Sequence, residues 1–163
     1  MKEITKVVVD AMGGDNAPHE IIKGAVEAVG KSDAIHVILV GKEDVINQEL
    51  SGYTYNKEQI SVVHTSEVIE TAEPPVMAIR RKKDSSIVVG LKMVKDKEAD
   101  IPMKGLMQTA SFMRAILDKE AYGFVPDGSQ LSQATVMEYQ GRLMIATDCA
   151  VNVAPDYSEK VKI

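Results

Sequence analysis

The stretch that most constrains the fold runs from Val7 to Pro18 and reads V-V-V-D-A-M-G-G-D-N-A-P. Three consecutive β-branched residues are typical of a strand that is covered on both faces, as in a parallel sheet. Gly13 and Gly14 then allow backbone angles that other residues avoid, and they let a ligand approach the main chain closely. In an open α/β sheet, ligands bind at the carboxyl ends of the strands, where this turn would lie. A surface turn that merely needs glycine is the alternative interpretation.

The rest of the chain alternates strand-like and helix-like segments. Apolar runs predict strands at 5–10, 35–40 and 60–64, and helical spacing predicts helices at 18–30 and 43–50 between them. Later segments predict a helix that ends near residue 96, a short strand at 101–104, a helix at 109–119 with Leu117 facing inward, and a hairpin of strands 134–139 and 143–147. The pattern predicts one α/β domain over residues 1–163, a three-layer α/β/α fold with a mostly parallel sheet and a late β-hairpin.

Composition narrows the classes of protein that the chain could be. The net charge of −5 over 163 residues argues against a general nucleic-acid binder. No apolar run approaches the roughly 20 residues of a membrane span, and the opening M-K-E-I-T-K leaves no room for a signal peptide. The single cysteine, Cys149, excludes an internal disulfide and a multi-cysteine zinc site. These features predict a cytoplasmic protein, and we expect no metal site.

A run of four cations precedes the helix that ends near residue 96. Arg80 to Lys83 are followed by Asp84, Ser85 and Ser86, each of which can cap a helix. A helix N-terminus carries free N–H groups and partial positive charge, so it binds anions. Arg81, Lys82, Ser85 and Ser86 are therefore candidate phosphate-binding residues. The alternative is that the charged run is a solvated face.

A second candidate anion site lies between the short strand and the helix that follows it. Lys104 stands at the strand end, a glycine follows, and Thr109 can begin the helix. A cation, a flexible turn and a hydroxyl at a helix start suit a phosphate group. The segment does not match the P-loop pattern, so hydrolysis of nucleotide triphosphates is not supported. An ordinary polar turn is the alternative.

A third cluster follows the last strand and contains Asp148, Asn152 and Asp156. Its carboxylates could bind Mg²⁺ or orient a ligand, although such residues also serve as turn and cap residues. No arrangement of Ser, His and Asp for nucleophilic catalysis is evident from the spacing. Gly13 and Gly14 lack the G-x-G-x-x-G spacing, so a dinucleotide-binding module is the weakest hypothesis.

Several of these segments together resemble known families. Residues 10–18 resemble the N-terminal signature of the PlsX phosphate acyltransferase family, and residues 63–69 and 73–86 are similar to the same family in the same order. This resemblance covers about residues 1–95. Residues 99–163 instead look like phosphate butyryltransferases and phosphate acetyltransferases. A natural hybrid and a built chimera, with a seam near residues 96–100, are both left open, and the chain ends about halfway through either family.

The resemblance implies a partial isocitrate/isopropylmalate dehydrogenase-like fold and one type of reaction. In both families an acyl group moves between a thioester and inorganic phosphate to give an acyl phosphate, in fatty acid or phospholipid metabolism. It implies acyl carrier protein or acyl-CoA as partner, no cofactor, and a homodimer, and it leaves peripheral membrane contact open. Lys104 and Thr109 are the candidate catalytic residues; the candidate phosphate- or substrate-binding residues are Gly13, Gly14, Arg81, Lys82, Ser85, Ser86, Asp148 and Asn152. The alternative is a catalytically silent truncated or chimeric domain that at most binds phosphate or CoA.

Overall fold

A computed structural model of the chain describes residues 4–69, 73, 78–79, 81–106, 109–126, 129–148 and 150–163. The chain divides into two compact units, residues 1–122 and residues 123–163, and each unit has its own sheet. That the whole chain acts as one domain stays a prediction. Arg80 and Cys149 lie outside the described residues. Among the helices in these ranges, none is long and apolar enough to cross a membrane.

The first unit contains a four-stranded sheet in which every neighbouring pair is parallel. Its strands are β1 (Thr5–Asp10), β2 (Ile35–Gly41), β3 (Ile60–His64) and β4 (Ile101–Met103). Their order across the sheet is β3-β2-β1-β4, and Val8 aligns with Ile38 of β2 and with Pro102 of β4. The carboxyl ends of all four strands therefore lie along one edge, which we call the carboxyl edge. The predicted parallel sheet is confirmed, with β2 one residue longer and β4 one residue shorter than expected.

Helices cover both faces of this sheet. They are α1 (His19–Lys31), α2 (Glu43–Leu50) and α3 (Ser86–Lys95). Because side chains alternate along a strand, neighbouring valines of β1 enter opposite layers. Val9 is buried with Ile22 of α1 and Ile46 of α2, whereas Val8 is buried against the layer that contains Met93 of α3. The predicted three-layer α/β/α arrangement is confirmed.

Helix α4 spans Thr109–Ile116 and is three residues shorter than the sequence predicts. The Asp118 carboxylate accepts a hydrogen bond from the N–H of Ala121 at 3.0 Å, and such a local bond favours a turn over a further helical turn. The side chain of Leu117 is consequently exposed, so the prediction that it faces inward was wrong.

The region around the predicted seam, residues 96–100, packs into the core of the first unit. Ala99 is buried beside Val8 and Val40. Asp100 exchanges two hydrogen bonds with Lys6, since its N–H donates to the Lys6 carbonyl at 2.9 Å and its carboxylate accepts the Lys6 N–H at 2.7 Å. The segment after residue 96 is thus tied to the first strand. The seam itself stays a prediction.

The second unit is built on an antiparallel hairpin. Strands β5 (Ala134–Tyr139) and β6 (Arg142–Thr147) pair along their whole length. Gln140 and Gly141 connect them with φ angles of 51° and 74°, the positive values that a two-residue hairpin turn requires. Helix α5 (Tyr157–Lys162) follows, and Asp156 and Glu159 form a reciprocal capping box at its start. The predicted late hairpin is confirmed.

Candidate functional site

Two glycines bring the loops after β1 and β4 into direct backbone contact at the carboxyl edge. The N–H of Leu106 donates to the carbonyl oxygen of Gly13 at 2.8 Å. A Cβ on Gly105 would overlap that carbonyl oxygen, and a Cβ on Gly13 would overlap the Asp10 carboxylate and lie 3.1 Å from the Cα of Gly105. A side chain at Gly105 therefore requires a shift of backbone, and one at Gly13 requires at least a shift of the Asp10 carboxylate. We call this contact the Gly13–Gly105 junction.

The turn that carries Gly13 and Gly14 leaves main-chain donors available. Both glycines are half-buried, and Gly14 has a φ of 147°, which favours glycine. Within the described residues, neither of their N–H groups donates a hydrogen bond. Successive unused N–H groups at a turn are a common anion-binding arrangement. The glycine turn thus has the donors that a phosphate group needs.

Asp10, the last residue of β1, is buried and joins this turn to helix α3. Its carboxylate accepts a hydrogen bond from the Ser86 hydroxyl at 2.5 Å and another from the N–H of Met12 at 3.2 Å. Asp10 and Ser86 are both more than nine-tenths buried. A buried carboxylate is costly unless it is hydrogen-bonded, and these two donors meet that requirement. The Ser86 hydroxyl is therefore already engaged.

The neighbouring Ser85 and Lys82 also have partners within the chain. The Ser85 side chain is fully buried, and its hydroxyl donates to the Lys82 carbonyl at 2.8 Å. The Lys82 ammonium donates to the Val68 carbonyl at 2.6 Å and pairs with the Glu73 carboxylate. Arg81, in contrast, is exposed, and its side chain makes no hydrogen bond or ion pair in the described part of the chain, although its carbonyl accepts the N–H of Lys83 at 3.2 Å. That any of these residues binds phosphate stays a prediction.

Asp84, just before α3, links the loop after β3 to the helix start. Its carboxylate accepts the hydroxyl of Ser66 at 2.5 Å and the N–H of Ser66 at 2.8 Å. These two hydrogen bonds, and more weakly the nearby His64, hold the pKa of the Asp84 carboxyl below its usual value. The bonds also align the segment 66–67 with residues 84–85, where Glu67 and Ser85 form a parallel bridge. Asp84 thus orders the entry to α3.

The two candidate catalytic residues follow β4. Lys104 is half-buried and directly precedes Gly105. Because Gly105 contacts Gly13, the backbone of Lys104 lies one residue from the glycine turn. Thr109 is exposed at the first position of α4. Residues 107–108, which connect them, lie outside the described residues. The catalytic roles stay predictions.

Asp148 and Asn152 belong to the second unit, where they bind each other. The backbone N–H and the side-chain amide of Asn152 donate to the two Asp148 carboxylate oxygens at 3.0 and 2.7 Å. The Asn152 amide also donates to the Leu131 carbonyl at 3.0 Å, and its oxygen accepts from Gln130 at 2.5 Å. Asp148 has a φ of 55°. The geometry is that of an ordered turn, the structural alternative, and a ligand role stays a prediction.

Three residues that shape the carboxyl edge are not among the predicted site residues, although the glycine after Lys104 was part of the second candidate anion site. Asp10 and Gly105 fix the turn, and Thr65, directly after β3, has a fully buried hydroxyl without a partner in the described residues. The sequence contained a signal for Asp10, because a carboxylate that ends a buried apolar strand needs hydrogen-bond donors. Nothing in the sequence reveals that the backbones at Gly13 and Gly105 touch, since they are far apart in the chain.

A separate concavity of about 580 Å³ lies beside the end of α4. Its lining carries the cations Lys83, Arg114 and Lys119, together with the acids Asp118 and Glu120. Tyr122 forms part of the wall, and burial, with the Asp118 charge, raises the pKa of its hydroxyl. The lining thus carries charges of both signs, whereas the glycine turn presents main-chain donors. The carboxyl edge is therefore the better candidate site.

Comparison with known proteins gives one family and a consistent set of relatives. A family model described as "Fatty acid synthesis protein" matches residues 5–159. A protein named phosphate acyltransferase from Clostridium novyi (strain NT) is 42% identical over 147 residues, which are 90% of this chain and 43% of that protein. Another of the same name from Alkaliphilus oremlandii (strain OhILAs) is 58% identical over 95 residues, 58% of this chain and 28% of that protein. The chain therefore spans less than half the length of these relatives, and the predicted resemblance to phosphate acyltransferases is confirmed.

Solved structures agree at the level of fold. The EutD phosphotransacetylase from Staphylococcus aureus superposes with a TM-score of 0.65 at 15% identity, covering 98% of this chain and 50% of that one. A phosphotransacetylase from Streptococcus pyogenes gives a TM-score of 0.62 at 15% identity, covering 93% of this chain and 49% of that one. At this level of identity the likeness shows a shared fold.

Proposed function

The chain belongs to the family described as fatty acid synthesis protein, and from this membership we propose that it is a phosphate acyltransferase. The proposed reaction moves an acyl group between a thioester and inorganic phosphate. The relatives from Clostridium novyi and Alkaliphilus oremlandii carry the name phosphate acyltransferase. The observation that carries the proposal is the glycine turn at the carboxyl edge, beside the loop that contains Lys104; its two N–H groups donate to no described residue.

The chemistry requires little from the protein beyond position and charge. An oxygen of phosphate attacks the thioester carbonyl carbon, a C–O bond forms, the C–S bond breaks, and the thiolate leaves and takes up a proton. Phosphate is already charged near neutral pH, so no covalent enzyme intermediate is needed. The protein must hold the dianion in line with the carbonyl and stabilise the oxyanion. A site of main-chain N–H groups, cations and hydroxyls suits this task.

Within this proposal five of the candidate residues have a direct role. The N–H groups of Gly13 and Gly14 hold phosphate oxygens, and Arg81 adds an exposed positive charge. Lys104 stabilises the negative charge that develops on the carbonyl oxygen, and Thr109 donates a hydrogen bond from the start of α4. The Ser86 hydroxyl and the Met12 N–H donate to the Asp10 carboxylate and so reduce, without removing, the repulsion between its charge and phosphate.

Further parts of the proposal concern the thiol carrier, the metabolic pathway, the cellular compartment and the oligomeric state. We propose acyl carrier protein or CoA as the thiol carrier, a role in fatty acid and phospholipid synthesis, and action in the cytoplasm as a homodimer. A second candidate is a catalytically silent domain that only binds phosphate or CoA. It is favoured by the length of the chain, which is less than half that of the relatives named above.

One assay separates the two candidates. The full 163-residue chain is incubated with butyryl-CoA or with an acylated carrier protein, and thiol release is followed with and without inorganic phosphate. Phosphate-dependent release with either thioester supports the acyltransferase and identifies its carrier. A folded chain that binds phosphate but releases no thiol from either thioester supports the silent domain. Lys57→Ala, an exposed loop lysine, is a matched control for Lys104→Ala, which we expect to slow release at least about tenfold.

A further inference from the structure

Asp10 contacts three elements of the carboxyl edge at once. It ends β1, its carboxylate accepts the Ser86 hydroxyl of α3, and the same oxygen accepts the N–H of Met12 in the glycine turn. We infer that Asp10 is a positioning residue, which holds the glycine turn against α3 and thereby sets the Gly13–Gly105 junction. The Ser86 hydroxyl then donates to the Asp10 carboxylate and does not contact phosphate.

The contacts form a continuous series from α3 to the loop after β4. Ser86 holds one carboxylate oxygen of Asp10, and the other oxygen fills the place where a side chain of residue 13 would be. The carbonyl of Gly13 in turn accepts the N–H of Leu106. A shift of the carboxylate therefore moves Gly13, and with it the loop that carries Lys104.

The negative charge at the start of α3 is the Asp10 carboxylate and not a substrate anion. A helix N-terminus favours a nearby negative charge, and the buried Asp10 carboxylate provides one through the first residue of α3. A phosphate group in the same place would lie against the Asp10 carboxylate, a second negative charge. Phosphate is therefore directed to the turn side of Asp10, at the N–H groups of Gly13 and Gly14. This last step rests on the proposed function, whereas the role of Asp10 at the junction does not.

The test replaces Ser86 and measures two independent quantities. In Ser86→Ala the carboxylate keeps only the Met12 donor, so we expect the Leu106 amide to exchange its hydrogen at least about tenfold faster. For the acyl transfer reaction we expect the KM for inorganic phosphate to rise about tenfold while kcat changes less than about twofold, since only binding geometry is lost. Leu106 exchange is measured without substrate, so it remains decisive if the chain proves to have no activity.

Ser85→Ala is the matched control for the exchange measurement. It removes the hydroxyl of the adjacent serine, which is also buried, but that hydroxyl donates to the Lys82 carbonyl and not to Asp10. We expect Leu106 exchange in Ser85→Ala to stay within about twofold of the unmodified chain. Equal exchange in Ser86→Ala and Ser85→Ala would overturn the inference. A raised KM for phosphate with unchanged Leu106 exchange would also overturn it, because Ser86 would then contact phosphate directly.

A double-mutant cycle gives a second test. Asp10→Ala removes the same contact as Ser86→Ala, so we expect the double variant to exchange Leu106 no faster than Asp10→Ala alone. Additive effects of the two changes would contradict a shared contact. If Asp10→Ala does not fold, the comparison of Ser86→Ala with Ser85→Ala decides the matter.

Discussion

The two units of this chain differ in what holds them in shape. In the first unit, strands and helices enclose fully buried side chains such as Ile22, Leu39 and Leu91. Among the described residues of the second unit no hydrophobic side chain is buried, and Leu143 and Ile145 of its hairpin are 77% and 70% exposed. The first unit is therefore specified by burial, whereas the hairpin depends on its turn and its strand pairing.

This difference predicts that core substitutions will change stability in the first unit much more than in the hairpin. An isolated two-stranded hairpin is at best marginally stable in water, and the turn residues with positive φ supply only local preference. A parallel sheet covered on both faces instead loses stability whenever one core side chain is shortened. The same substitution should thus have very different effects in the two units.

Leucine truncation gives the largest expected contrast. Leu91→Ala empties a fully buried position of α3 and should lower the free energy of unfolding by about 3–5 kcal/mol. Leu143→Ala, on the exposed hairpin, should change it by less than about 0.5 kcal/mol. Urea denaturation of both variants measures the two values. Comparable losses would show that the hairpin is covered as well as the sheet and would remove the contrast.

Glycine substitution tests the junction within the first unit. In Gly105→Ala the new Cβ overlaps backbone at Gly13, so we expect a loss of about 2–3 kcal/mol in unfolding free energy. Gly24→Ala in α1 is the control, because nothing lies within 4 Å of its Cβ and alanine favours a helix by about 0.5–1 kcal/mol. In thermal melts we expect Gly105→Ala to lower the Tm and Gly24→Ala to raise it. A neutral Gly105→Ala would mean that the two loops do not touch.

The buried hydroxyl of Thr65 allows a smaller test. It has no partner among the described residues, so Thr65→Val should stabilise the chain by about 1 kcal/mol by removing an unsatisfied polar group. Thr147→Val, on the exposed end of the hairpin, should change stability by less than about 0.5 kcal/mol. If Thr65→Val destabilises the chain, its hydroxyl has a partner, such as a buried water.

The smallest expected effect is the pH dependence that Asp84 contributes. Because the folded state lowers the pKa of this carboxyl, its stabilising contribution is present above the unfolded value and is lost as the pH falls below about 4. Ser66→Ala removes the hydroxyl donor, so the loss of stability on acidification should become shallower. Ser158→Ala, an exposed serine of α5, should leave the slope unchanged. Identical slopes in all three chains would refute the assignment to Asp84.

Much of the fold could be predicted from the sequence because its signals are local. The β-branched run at 7–9 and the helical spacing after Pro18 indicate strand and helix directly. Gln140-Gly141-Arg142 predicts the hairpin turn, although Arg142 is already the first residue of β6. The end of α4 was missed because the bond between Asp118 and Ala121 competes with the helix. Propensity alone does not reveal such a bond.

The site was less predictable because its contacts join distant residues. The sequence led to Gly13 and Lys104, but the contact of Gly13 with Gly105 depends on β1 and β4 being neighbours in the sheet. Likewise, the cation run drew attention to Lys82, whose charge the fold pairs with Glu73. A run of cations in a sequence does not show which of them remain free to bind a ligand.

The central claim is that inorganic phosphate binds at the glycine turn of the carboxyl edge and not on the hairpin. Titration of the ¹⁵N-labelled chain with inorganic phosphate, followed by amide shifts, tests this claim most directly. We predict saturable shifts of the Gly13 and Gly14 amides, while the amides of Leu143 and Ile145 remain unchanged. Unchanged Gly13 and Gly14 amides at saturating phosphate, or shifts confined to the hairpin, would contradict the account.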